Sequence, residues 1–233
     1  MKELFIFAAQ LFRNYFRSLA LLSAPFTLLA FLSYFIDQPA ENRIGSIRVV
    51  GLIAYLSGFA MYMSSLIFFM SQAYQGKLQS IKSNLINGLV YTPLLMVTLL
   101  VANSPLLAVI VIMFTQTHLQ FLTLPLLVLG IYVSLRSTFA PFHLILEGDK
   151  PLGAIKSSFS STKGQVSKIV KVVIIFYLAT TVVEVLSTSN ANIEVFNILM
   201  FFIGVAVTLL MTAFQQFVVF KMYINSFDNK EKR

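Results

Sequence analysis

The chain has no cysteine and no tryptophan, only two histidines, and charged residues at just 11% of its 233 positions. The missing cysteines exclude disulfides, a thiol nucleophile and thiolate metal sites. The two histidines, His118 and His143, stand far apart. The shortage of charge excludes most. Soluble domains average about 25% charged residues, and a soluble fold of this length could not be coated by the polar residues available. An ordinary cytosolic enzyme, a disordered chain and a nucleic-acid-binding domain are all ruled out. Without tryptophan, any interfacial belt must rest on Tyr, Arg and Lys.

What is present is apolar surface: 58% hydrophobic residues, 23 of them Phe, and a mean hydropathy of +0.83. A spanning helix needs about 20 mostly apolar residues. Six runs qualify, at 18–36, 49–71, 88–114, 122–146, 172–186 and 195–220. The first ends in YFIDQPAEN without a small-x-small cleavage site, so it reads as a retained span rather than a signal peptide. The third is long and interrupted by Asn103-Ser104-Pro105. It reads as one tilted, kinked span in preference to a re-entrant hairpin, because neighbouring groups can satisfy carbonyls freed by proline. The predicted fold is all-α: six transmembrane helices with interfacial amphipathic helices. Residues 1–17 form an N-terminal interfacial helix, 18–227 the membrane domain, and 228–233 a charged tail.

The net charge of +8 is distributed by topology. With the N-terminus in the cytoplasm, fourteen of the seventeen Lys and Arg fall on inside segments. Only Arg43 and Arg48 fall outside, and Arg136 lies within a span. That bias has the expected sign. It places both termini in the cytoplasm.

Three inside segments read as amphipathic. In 3–17, Gln10, Arg13, Asn14 and Arg17 share one stripe. In 76–89, Leu78, Ile81 and Leu85 form an apolar side. In 150–164, Leu152, Ile155 and Phe159 form the apolar stripe, opposite Lys156, Ser157, Ser160, Ser161 and Lys163. Pro151 suits a first helical turn, and Gly164 can end the helix. The last two segments match at an offset of 74, with Leu78, Ile81, Lys82, Ser83 and Leu85 answering Leu152, Ile155, Lys156, Ser157 and Phe159. The units 49–114 and 122–186 are therefore candidate parallel repeats.

Arg136 carries the most information of any single residue. A mid-membrane arginine costs at least about 2.5 kcal/mol and needs a partner or a wet cavity. Glu184, the one acidic residue deep within a span, is the expected partner, so Arg136 and Glu184 form a candidate intramembrane ion pair or anion contact. Thr208, Thr212 and Gln216 fall on one face of the sixth span, which should meet protein rather than lipid. Gly51, Gly58 and Gly130 are candidate close approaches between helices. His143, Glu147 and Asp149 mark a turn on the cytoplasmic side. His143 and Glu147 share a face at i,i+4. With no third ligand expected nearby, H-x-x-x-E implies no metal site. Gly148 can take a positive φ, and Asp149 can cap the following helix.

The run 125–164 resembles the YciC-type bacterial inner-membrane family. It is also similar to the helical membrane domain attached to some glycerophosphodiester phosphodiesterases. The resemblance is carried by Ala140-Pro141, Glu147-Gly148, and Ser158 with Thr162. It implies about six spans in the bacterial inner membrane and no assigned activity, and no catalytic residue carries over. The residues themselves offer no acidic cluster, metal triad or nucleophile–His pair, so no enzyme is expected. No cofactor, metal ion or nucleic acid is implied. The expected partners are membrane lipid and a protein docked on the cytoplasmic helices. The alternative is a transporter or channel-like path for a small or anionic solute or lipid.

Overall fold

The computed structural model describes the backbone of residues 1–37, 45–115, 118–188 and 194–231. Side chains are described for 1–29, 53–54, 56–113, 120–182 and 202–227. Among these residues the chain is helical, without strands. Nine α-helices follow in order among the described residues: α1 (Lys2–Asp37), α2 (Gly45–Gln75), α3 (Ile81–Ala102), α4 (Ser104–Thr115), α5 (Thr123–Arg136), α6 (Ala140–Leu146), α7 (Pro151–Ser161), α8 (Val166–Thr188) and α9 (Glu194–Glu231).

Within the described residues, three helices are long and apolar enough to cross a membrane: Ile81–Ala102, Gln120–Leu146 and Phe202–Phe227. A fourth arises if α7 and α8, bent by 106°, form one span. That is fewer than the six expected, partly because the runs 18–36 and 49–71 extend onto residues outside the described side chains. The outward faces suit lipid. Val90 is 67% exposed, Val128 62% and Tyr177 69%, an apolar surface too extensive for a water-facing monomer.

α1 kinks at Tyr15, where φ is −116° and ψ is 16°. This matches the expected junction between an amphipathic segment and a span to within a few residues. Arg13, Asn14 and Arg17 point outward as expected. The opposite face does not lie alone in the interface, however. Leu4 and Ala8 are buried, and Phe5 stacks on Phe176 of α8 at 6.3 Å. Phe12 meets Phe214 of α9 at 5.6 Å. The segment is a clamp over the bundle, because its aromatic residues find protein before they find lipid.

The segment 76–89 also departs from expectation. Gly76 turns the chain with φ +67°. Ser80 caps α3 by accepting from the Ser83 amide at 3.2 Å, and Ile81 onward runs straight into the span. Residues 81–89 are therefore the first turns of α3 rather than a separate surface helix. In 150–164, α7 does stand apart, at 106° to α8. The two segments matched at an offset of 74 thus fold differently. α2 and α3 pack along each other, whereas α5 and α8 touch little.

α3 and α2 approach closely at Gly88. A Cβ there would lie 2.0 Å from Ser65 Oγ and 2.8 Å from the Ser65 amide nitrogen. Gly130 is pressed in the same way against Leu106. Gly58 has only ordinary contact, with Leu29 at 3.6 Å, and Gly51 lies outside the described side chains. The Asn103 break separates α3 from α4. There Asn103 Nδ2 donates to the Leu99 carbonyl at 2.8 Å, and Ser134 Oγ donates to Asn103 Oδ1 at 2.8 Å. α4 then lies along α5 rather than folding back on α3.

On α9, Leu209, Ala213 and Phe217 form the buried stripe. Thr208, Thr212 and Gln216 sit one residue to its side and are only half-buried. The core follows the larger apolar side chains, not the polar stripe. Tyr62 of α2 ties this face down by donating to the Leu209 carbonyl at 2.7 Å.

Candidate functional site

The fourth apolar run is broken at 137–139, between α5 and α6. Pro141 sits in the first turn of α6, where its missing N–H costs nothing. The break opens main-chain groups that a helix would pair, and burial makes unpaired ones expensive. Ser137 and Thr138 turn their hydroxyls back onto the Val133 and Leu135 carbonyls, at 2.5 and 2.9 Å. The rest is closed by α7. Ser158 Oγ donates to the Arg136 carbonyl at 2.7 Å and accepts from the Phe139 amide at 3.0 Å. Thr162 Oγ1 donates to the same carbonyl at 3.2 Å.

This explains which face of α7 is buried. Ala154, Ser158, Ser161 and Thr162 face the protein. Leu152, expected on the apolar stripe of the helix, is 70% exposed. The small hydroxyl residues approach the break closely and supply hydrogen bonds, while Leu152 turns away and Ile155 and Phe159 stay half-buried.

The Arg136 side chain closes the same lock. Its Nη2 donates to the Phe159 carbonyl, and its guanidinium carbon lies 5.3 Å from the Phe159 ring centre. A cation near the last carbonyls of a helix also meets the negative end of the helix dipole. Arg136 is thus half-buried at the end of α5 and held by α7. The Glu184 side chain lies outside the described residues.

One turn further on, α6 is buried from Ala140 through Ile145, including His143 at 2% exposure. His143 Nδ1 lies 2.9 Å from Glu147 Oε1, as the i,i+4 spacing predicts. His143 Nε2 lies 3.1 Å from Ser161 Oγ. Tyr223 of α9 donates to Glu147 Oε1 at 2.5 Å, and its ring stands edge-on to His143 at 5.2 Å.

Gly148 has φ +73°, as expected, and reverses the chain. The Glu147 and Asp149 amides both donate to the His143 carbonyl, at 3.2 and 3.3 Å. Asp149 does not cap α7. The cap position is Lys150, with no side-chain hydrogen bond, and Asp149 Oδ2 instead accepts from Ser157 at 3.0 Å. The reversal corrects a second expectation. One donor atom each from His143, Glu147 and Asp149 lie within 4.8 Å of one another, so a third ligand is nearby after all. Glu147 and Tyr223 also line an open cavity of about 340 Å³ with Tyr74, Gln75 and Phe227.

No protein-family model, curated protein or solved structure matches the chain. The geometry of this corner therefore carries the functional reading. Tyr223 and Ser161 are the members that the sequence did not single out for the His143 cluster. Tyr223 lies 76 residues from Glu147. Its only local signal is the aromatic spacing with Phe220 and Phe227 on α9.

Proposed function

We propose that the chain is a non-catalytic integral protein of the bacterial inner membrane whose cytoplasmic corner binds anionic lipid headgroups. In this reading it is a YciC-type protein, spans the bilayer six times and keeps both termini in the cytoplasm. The observation that carries the lipid reading is the setting of α7. It lies at 106° to α8, exposes Leu152, and exposes Lys150, Lys156 and Lys163 beside it. A helix across the end of a bundle, with an apolar residue and lysines outward, suits the boundary between acyl chains and headgroups. Each lysine near an anionic surface contributes about 1 kcal/mol.

The lengths of α1 and α2, 36 and 31 residues, support the remaining two spans. The convergence of Ala140-Pro141, Gly148, Ser158 and Thr162 on one corner supports the family reading. A solute path has less support. Thr212 bonds the Thr208 carbonyl of its own helix at 2.9 Å, and Arg136 is engaged by Phe159.

The test is native mass spectrometry of the full chain in detergent with equal phosphatidylglycerol and phosphatidylcholine. The expected result is several-fold enrichment of phosphatidylglycerol adducts, lost in K150E/K156E/K163E. Equal retention of the two lipids overturns the reading.

A further inference from the structure

The contact between His143 and Glu147 is left unexplained by lipid binding. His143 Nε2 faces Ser161 Oγ at 3.1 Å, and a hydroxyl there can accept the ring N–H. That assignment makes Nδ1 the lone-pair nitrogen. Nδ1 nevertheless lies 2.9 Å from Glu147 Oε1, a second acceptor. It is buried and has no aligned hydrogen bond among the described residues. Two acceptors so close require positive charge beside them. A shared proton needs an N–H aimed at the oxygen, and the alignment is wrong for that. A metal ion held by both, with bonds of about 2.1 Å, sets its donors about 3.0 Å apart in octahedral geometry and about 3.4 Å apart in tetrahedral geometry.

The third donor is in place. Asp149 brings a carboxylate oxygen into the same 4.8 Å group. We propose that His143 Nδ1, Glu147 and Asp149 bind a divalent first-row transition-metal ion at the α6–α7 corner. Two carboxylates and a neutral imidazole balance a 2+ charge. The mixed nitrogen and oxygen donors suit manganese or zinc better than calcium, which takes six to eight oxygens.

The outer contacts fit this role, since ligands are oriented by their own hydrogen-bond partners. A Ser161 hydroxyl that accepts from the His143 Nε2–H holds the imidazole in the tautomer that leaves Nδ1 for the ion. Tyr223 donates to Glu147 Oε1, whose second lone pair serves the ion, and Ser157 donates to Asp149 Oδ2, which leaves Asp149 Oδ1 for it. The adjoining cavity of about 340 Å³ reaches Glu147 and supplies entry and room for water ligands.

The test uses the full chain in detergent, stripped with chelator and dialysed against micromolar Mn²⁺ or Zn²⁺. Bound metal is counted by mass spectrometry, and Co²⁺ absorbance serves as the coordination probe. D149N and E147Q change side chains that are half-buried or exposed, so both are expected to keep helix content and elution volume. The expected result is stoichiometric binding that weakens ~10-fold or more in either variant, together with a Co²⁺ visible band altered in H143Q. Three outcomes overturn the proposal: no metal above that held by an H143Q/D149N double variant, affinity unchanged in D149N, or a Co²⁺ band unchanged in H143Q.

Discussion

The hydroxyl of Ser158 donates to the main-chain oxygen of Arg136 at 2.7 Å, and so joins α7 to the broken end of α5. The hydroxyl oxygen itself, Ser158 Oγ, accepts from the Phe139 amide at 3.0 Å. One hydroxyl therefore serves a carbonyl and an amide that the helix break leaves open. Its donor and its lone pairs allow both roles at once.

Replacing Ser158 by alanine tests that bridge. The Arg136 carbonyl keeps Thr162 at 3.2 Å, but the buried Phe139 amide loses Ser158 Oγ as its acceptor. An unpaired buried group costs about 1–3 kcal/mol. S158A should lower stability by that amount, read from thermal unfolding in detergent. S160A, at an exposed position of the same helix, should stay within about 0.5 kcal/mol. Equal effects would show that the serines act through helix propensity and not through the break.

Much of this corner was legible in advance. Pro141, Gly148 and Gly164 punctuate the chain for local reasons: a fixed φ, a positive φ and another positive φ. The pairing of His143 with Glu147 follows from helical spacing alone. The rest was not legible because a sequence does not show which main-chain groups a helix break leaves open. Leu152, Ile155 and Phe159 read as the apolar stripe of a helix lying on the membrane, and Leu152 is 70% exposed. At a membrane boundary the outside is apolar too, and the buried positions go to Ala154, Ser158 and Ser161, which can approach a broken backbone closely. Arg136 was matched to Glu184, whose side chain lies outside the described residues, because sequence lists charges and not open carbonyls. A helix end supplies acceptors without any acidic residue, and the Phe159 carbonyl is one of them.

Gly88 tests a close helix contact. A methyl group there would meet both the Ser65 hydroxyl, at 2.0 Å, and the Ser65 amide nitrogen, at 2.8 Å. The hydroxyl could be removed, but the main chain cannot rotate away, so α2 and α3 must separate. Overpacking of this kind costs about 1–3 kcal/mol. G88A should therefore lower the thermal midpoint, and adding S65G should recover only part of the loss. Full recovery would place the whole conflict on the hydroxyl, contrary to the geometry.

Asn84 makes the opposite forecast. It stands on α3, fully buried, and neither its amide nitrogen nor its amide oxygen has a hydrogen-bond partner among the described residues. Burying such groups without partners is unfavourable. Leucine has the same number and branching of heavy side-chain atoms as asparagine, but nothing to desolvate. It also has higher helix propensity. N84L should therefore stabilise the chain by about 1–3 kcal/mol, seen as a raised thermal midpoint with unchanged helix content. N84A separates the two contributions, since it removes the polar atoms but leaves a void, and should fall below N84L. If N84L instead lowers the midpoint while N84A does not, the site is too tight for methyl groups and packing outweighs desolvation. If both lower it by similar amounts, the amide is making a favourable interaction in the folded protein, and the claim that it is an unpaired group is wrong.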